Sequence, residues 1–296
     1  MDHQLEVFVT VAETENFSRA AERLHMTQPA VSQYIKALEK SMEARLFDRS
    51  NKYVRLTQAG DVVYHHAKEI LGLYTNMHAL IDDLTGKAGG AISIGASYTY
   101  GEYVLPVILK RMKEEAPDIE PTVTIGNTKE ISRLVAEYQL DVGIIEGEVG
   151  NENLTVEPFE TDAMYVVAAP SFFFTTEEKN IAPEDLEQET WVIREEGSGT
   201  RRMSDKFFEE TGIEPASRLE FGSTQLIKES VEAGLGLSLL SHWTFRKEAK
   251  AGTLQVLDVE GLPLQREFSV ISRSLFRSKA LEVFLREVKE GYRGEK

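Results

Sequence analysis

Along the first ninety residues the apolar positions step with helical spacing. Leu5, Phe8, Val9 and Ala12 fall at i, i+3, i+4 and i+7, which predicts a helix with one buried face. Asn16-Phe17-Ser18 breaks that pattern, and Ser18 is placed to cap a short helix over 19–24. Thr27 is a second N-cap, with Pro29 in the first turn, where a missing N–H costs nothing. The helix it starts, over 28–40, has two faces. Val31, Ile35 and Leu38 point inward, while Gln28, Ser32 and Lys36 run down the other side with Gln33 beside them. Two short helices joined by a tight turn make a helix-turn-helix. The flanks of Ser50-Asn51-Lys52 suit two short strands, a basic hairpin that completes a winged helix-turn-helix.

Thr57 then caps a long helix with few breakers before Gly86. Along it Val63, Ala67, Ile70, Tyr74, Met77, Ile81 and Leu84 step by fours and threes, the seam of a helix that pairs with another copy. Lys87-Ala88-Gly89-Gly90 reads as a linker. Beyond it, apolar runs predict strands at 91–96, 122–125, 142–145, 163–168, 191–194, 237–240 and 268–272. Amphipathic patterns predict helices near 103–115, 129–138, 200–210, 224–233 and 279–290. Such alternation means βαβ units and an α/β fold with parallel sheet. The expected domains are a winged helix-turn-helix at 1–58, a dimerisation helix at 59–87 and an α/β domain at 88–296.

Charge changes how the first domain reads. The 296-residue chain carries a net charge of −16, which by itself argues against a nucleic-acid partner. The excess is uneven, however: residues 91–296 hold 23 Lys and Arg against 37 Asp and Glu, and residues 1–90 hold 10 against 12. Within 17–57 eight basic side chains face four acidic ones, a local footprint fit for phosphate. Gln can pair with adenine, Ser can bond either base and Lys can reach guanine or phosphate. The candidate DNA-binding residues are therefore Ser18, Arg19, Thr27, Gln28, Pro29, Ser32, Gln33 and Lys36, with Arg49, Lys52 and Arg55 on the hairpin.

The α/β domain suggests a ligand site. In open α/β sheets ligands lie beyond the carboxyl ends of strands. Five polar clusters fall there: Ser97-Tyr98-Thr99, Gly126-Asn127-Thr128, Glu146, Gly197-Ser198-Gly199-Thr200 and Gly222-Ser223-Thr224. Several stand where a helix begins and so offer N–H groups and hydroxyls to an anion. Catalysis is not expected. Ser198 lacks a nucleophile elbow and a triad partner, there is no HExxH or P-loop, and adjacent His65 and His66 face different ways. With no cysteine there is neither a disulfide nor a thiolate metal site. No apolar run reaches bilayer length and no secretory signal opens the chain, so the expected location is the cytoplasm.

Residues 1–60 resemble the DNA-binding domain of LysR-type transcriptional regulators. The matching stretches are Phe17 to Leu24, Thr27 to Gln33, Leu38-Glu39, Leu46 to Arg49 and Val54 to Gly60. Met42 stands where that family usually has a turn glycine, and Gln58 where it often has proline. The resemblance extends over the rest through Asp141 to Gly147, Gly222-Ser223-Thr224 and Val231 to Gly236. It implies a two-lobed effector domain like a type 2 periplasmic binding protein, lobe I at 91–161 and 267–296, lobe II at 162–266. Crossing strands would lie near 160–165 and 266–270. It also implies a small, anionic metabolite between the lobes, with Ser97, Thr99, Thr128 and Thr200 as foremost contacts. The stretch over 197–200 resembles regulators of sulfur assimilation and carbon fixation. By the same resemblance the partners are promoter DNA, a second copy in a dimer that assembles into a homotetramer, and RNA polymerase. No cofactor or metal is implied.

Overall fold

A computed structural model of the chain describes residues 2–49, 53–84, 90–147, 154–172, 180–273 and 277–291. The chain divides into two compact units, the first built from the elements up to the long helix and the second from those beyond it.

The first unit opens with α1 (Asp2–Thr14), α2 (Phe17–Arg23) and α3 (Gln28–Ser41). The cap of α2 is Asn16, not Ser18: Asn16 Oδ1 accepts from the N–H groups of Ser18 at 2.8 Å and Arg19 at 3.1 Å. Both residues suit a cap, but the helix starts two residues earlier, with Phe17 packed against Phe47. Thr27 caps α3, and Val31, Ile35 and Leu38 are buried as expected. Strands β1 (Phe47–Arg49) and β2 (Val54–Leu56) pair antiparallel with Phe47 opposite Leu56. The expected turn at Ser50-Asn51-Lys52 lies outside the described residues, as does most of the linker. Glu39 ties α3 to this hairpin, its Oε1 accepting from the N–H groups of Leu46 and Phe47.

Helix α4 (Gln58–Leu84) begins on Thr57, whose Oγ1 accepts from Gly60 N–H at 3.0 Å and donates to Arg45 O at 2.7 Å. A Cβ on Gly60 would stand 2.1 Å from the Leu46 carbonyl oxygen. Gly60→Ala is therefore expected to destabilise the first unit by about 1–3 kcal/mol, as overpacking against backbone does. Urea denaturation followed by helical circular dichroism reads this, and an unchanged midpoint would mean the Leu46 carbonyl yields freely. The seam splits in two. Ala67 is buried in the core shared with α1 to α3 and so is closed to a second copy, and Val63 is half-buried against the same core. Ile70, Tyr74, Met77, Ile81 and Leu84 are exposed. A heptad pattern cannot distinguish packing on the chain's own core from packing on a partner.

The second unit has two lobes. In lobe I, β3 (Ala91–Ser97) leads into α5 (Tyr98–Tyr103) and α6 (Leu105–Glu115), then β4 (Glu120–Gly126), α7 (Thr128–Ala136) and β5 (Val142–Glu146). The helix expected over 103–115 is α6, which starts at Leu105 with Pro106 in its first turn, while α5, just before it, is a short helix that the apolar pattern does not mark. Strand β6 (Thr155–Ala168) crosses into lobe II, which holds β7 (Thr190–Arg194), α8 (Gly199–Thr211), β8 (Ser217–Phe221) and α9 (Thr224–Glu232). It continues with β9 (Ser238–Ser241), α10 (His242–Ala251) and β10 (Gln255–Val256) before β11 (Leu264–Ser272) returns and α11 (Lys279–Lys289) closes lobe I. The large sheet runs β10-β6-β11-β5-β3-β4, with β9 also on β6, and β7 pairs β8 separately. Strands β5, β3 and β4 are parallel, as are β7 and β8, while β6 and β11 are antiparallel along their length and make the sheet mixed. Lobe I packs around Ile94, Ile108, Val142, Phe268 and Phe284, and lobe II around Val166, Trp191, Phe207 and Leu239.

Candidate functional site

The outward face of α3 is open. Gln28, Pro29, Gln33 and Lys36 are exposed, Ser32 is half-buried, and Ser18 and Arg19 at the start of α2 and Thr27 at the cap of α3 are exposed. Gln28 Nε2 donates to Ser32 Oγ at 3.0 Å, one helical turn on. On the hairpin Arg55 is exposed with its guanidinium 5.2 Å from the Tyr53 ring centre. Arg49 lies on β1, but its side chain, like Lys52, is outside the described residues. A row of amide, hydroxyl and ammonium on a rigid helix, with a guanidinium on the adjacent hairpin, can address base edges and phosphates together.

In the second unit the segments that follow β3 and β7 and the carboxyl end of β5 meet around one buried cation that sequence reasoning missed. Arg266, on the returning strand β11, has only 2% of its side chain exposed. Its Nε donates to Asp162 Oδ2 at 2.7 Å, Nη1 to Thr200 Oγ1 at 3.1 Å and Nη2 to Thr99 Oγ1 at 3.2 Å. Glu146 Oε2 stands 3.6 Å from Nη1. One guanidinium thus joins a hydroxyl of lobe I to a hydroxyl of lobe II. Each hydroxyl accepts from Arg266 and so keeps its own O–H to donate elsewhere. Burial raises the Asp162 carboxyl above the usual range, Glu146 adds to that, and the Arg266 charge and the Ser241 hydroxyl oppose it.

A second cation, Arg194 at the end of β7, is 2% exposed and also went unpredicted. It donates from Nε and Nη2 to both oxygens of Glu195, at 2.7 and 2.8 Å, and from Nη1 to Thr224 Oγ1 at 3.1 Å. Its guanidinium lies 4.4 Å from the Tyr98 ring centre. Asn127 Nδ2 of lobe I donates to Glu195 Oε1 at 3.1 Å. Burial works to raise the Glu195 carboxyl, but Arg194 and Asn127 outweigh it and hold it below the usual range.

The remaining expected residues have local duties. Thr128 donates to the Glu146 carbonyl at 3.2 Å, spending its proton on the wall of the cleft. Ser198 and Ser223 cap α8 and α9, accepting from the N–H groups of Arg201 and Leu226. Gly199 is needed for close approach, since a Cβ there would stand 2.7 Å from the Glu146 carbonyl oxygen. The lobes also meet through backbone, Lys129 N–H donating to Gly197 O at 3.2 Å. Ser97 Oγ is buried without a hydrogen-bond partner among the described residues. Among those residues no group of three or more His, Asp or Glu is placed to hold a metal, and no described helix is long and apolar enough to cross a membrane.

The chain is similar to known proteins over nearly its whole length. Residues 3–61 match the bacterial regulatory helix-turn-helix proteins of the lysR family, and residues 85–293 match the LysR substrate binding domain. The chain is 38% identical over 292 residues to the HTH-type transcriptional regulator CysL of Bacillus subtilis, covering 98% of this chain and 97% of that one. Among solved structures it is similar to full-length OxyR of Pseudomonas aeruginosa, with a TM-score of 0.75 and 25% identity, covering 98% of this chain and 94% of that one. It is also similar to the regulatory domain of Synechocystis CcmR in complex with 2-PG, with a TM-score of 0.64 and 25% identity, covering 69% and 98%.

Proposed function

The chain belongs to the LysR family of DNA-binding transcriptional regulators, and on that premise we propose which of its residues read DNA and which hold its effector. Gln28, Ser32 and Lys36 enter the major groove, Ser18, Arg19, Thr27 and Gln33 flank the contact, and Arg49, Lys52 and Arg55 lie along phosphates. The exposed stripe of α4 from Ile70 to Leu84 pairs with a second copy, which sets the spacing of the two reading helices. The domains are 1–58, 59–87 and 88–296. The regulator works in the cytoplasm as a homo-oligomer, up to a tetramer, and acts on RNA polymerase at its promoter.

The effector is a small anion bound between the lobes. The observation that carries this is Arg266, which orients the hydroxyls of Thr99 and Thr200 from opposite lobes so that both can donate toward one ligand. The complex of the similar CcmR domain with the small anion 2-PG supports the same class. A ligand that touches both lobes favours one arrangement over another, and about 1.4 kcal/mol of differential binding shifts an equilibrium tenfold. Melting of the full chain with a panel of small organic and inorganic anions tests the placement. At about 100 times its dissociation constant a true ligand adds ~2.7 kcal/mol of stability. Thr200→Ala should abolish that shift, whereas a shift of unchanged size would place the ligand elsewhere.

A further inference from the structure

Glu146 ends β5 inside the cleft, 3% exposed, with its carboxylate only half used. Oε2 stands 3.6 Å from Arg266 Nη1 and 2.9 Å from where a Cβ on Gly199 would lie, so the carboxylate rests against the first turn of α8. Oε1 is buried and has no hydrogen-bond partner among the described residues. Ser97 Oγ, in a residue 1% exposed, is in the same condition, and although Ser97 precedes α5 its side chain makes no cap bond. Buried polar atoms are normally paired, so two orphans at the carboxyl ends of the neighbouring parallel strands β3 and β5 point to a ligand that completes them.

The two orphans ask for different things. A hydroxyl can donate or accept, whereas a carboxylate can only accept. Thr99, Thr200 and Ser97 therefore present donors to an anion, while Glu146 Oε1 presents an acceptor. Arg266 cannot neutralise the conflict, because it is already shared by Asp162 and Glu146. A fully deprotonated oxyanion would meet the hydroxyls well and be repelled by Glu146.

We propose that Glu146 is the specificity-determining residue of the cleft, and that it selects a small oxyanion bearing its own hydrogen-bond donor. The donor of the ligand pairs with Glu146 Oε1 while its charged oxygens accept from Ser97, Thr99 and Thr200. This rests on the reading of the cleft as the effector site. A site built around a particular donor rejects the analogue lacking it far more strongly than an apolar pocket rejects a missing methylene.

Titration calorimetry on the full chain, at one pH near neutrality, tests this with two matched pairs. Phosphate, which keeps a proton there, is set against sulfate, which has none; glycolate, with its hydroxyl, is set against acetate. The donor-bearing member of at least one pair should bind about tenfold tighter or more. A response confined to the inorganic pair assigns a protonated inorganic oxyanion, and one confined to the organic pair assigns a hydroxy acid. Glu146→Gln, whose amide can donate, should erase or invert the preference, and Ser97→Ala should weaken both members of a pair alike. Equal affinities in the unsubstituted protein, or an unchanged ratio in Glu146→Gln, overturn the proposal. If both members bind equally and Thr200→Ala abolishes both, the cleft is still the effector site and only selection by Glu146 fails. If no probe binds either protein, both readings fail.

Discussion

Arg266→Met is expected to destabilise the second unit by about 3–5 kcal/mol, the cost of stripping a buried ion pair of one partner. Methionine fills much of the same volume, so lost packing contributes little and the uncompensated carboxylates dominate. Asp162 has a side chain with 0% exposure and loses its 2.7 Å bond, and Glu146 loses its nearest cation. Asp162→Asn in the same chain should restore part of the loss, since an amide needs no counter-charge. The loss should also depend on pH. The folded Asp162 carboxyl is already raised, by burial first and by Glu146 second. Its contribution to stability is therefore fully present below the ~3.9 of an unfolded aspartate and is lost as pH rises through the folded value. Removing Arg266 raises that folded value further, so the gap between the two proteins should widen from pH 4 towards neutrality. Urea denaturation at several pH values measures it. A gap that is constant with pH would mean the carboxylates are not what Arg266 holds.

That arginine also shows where reading a chain residue by residue stops. Local patterns found what local physics decides: Thr27 with Pro29 starts α3, Val31, Ile35 and Leu38 turn inward, and strands end where the polar clusters begin. The polar clusters at the ends of β3 and β7 point to the hydroxyls of Thr99 and Thr200, but nothing in the sequence marks the group that joins them. In Gln265-Arg266-Glu267 every side chain is polar, and nothing in the segment marks the middle one as buried. Its burial is tolerable only because Asp162, 104 positions away in the chain, lies beside it on the paired strand. Arg194 is similar, closing an apolar run as if it were the first solvent-facing residue. Asn16 and Ser18 illustrate a closer contest: both are good caps, and the packing of Phe17 on Phe47 decides between them. Val63 and Ala67 fit the heptad as well as Ile70 does, and only the neighbouring helices reveal that they face the unit's own core.

Gln28→Ala is expected to cost about 1–3 kcal/mol on the chain's own operator and much less on unrelated duplex, the signature of a lost base contact. The geometry adds a refinement. Gln28 Nε2 gives one hydrogen to Ser32 Oγ, which leaves its second hydrogen and Oε1 for a two-point contact with an adenine edge. Ser32 then acts partly through Gln28, holding the amide plane before DNA arrives. Ser32→Ala should accordingly relax preference at the base that Gln28 reads, and the double variant should lose less than the sum of the singles. Arg55→Ala provides the contrast. A side chain that only meets phosphate should weaken binding to all sequences alike and flatten the slope of log affinity against log salt by about one. Titrating operator and scrambled duplexes at several salt concentrations separates the two kinds of contact. If Gln28→Ala weakens both duplexes equally and also flattens the slope, the outward row of α3 rides on the backbone, and the sequence is read elsewhere.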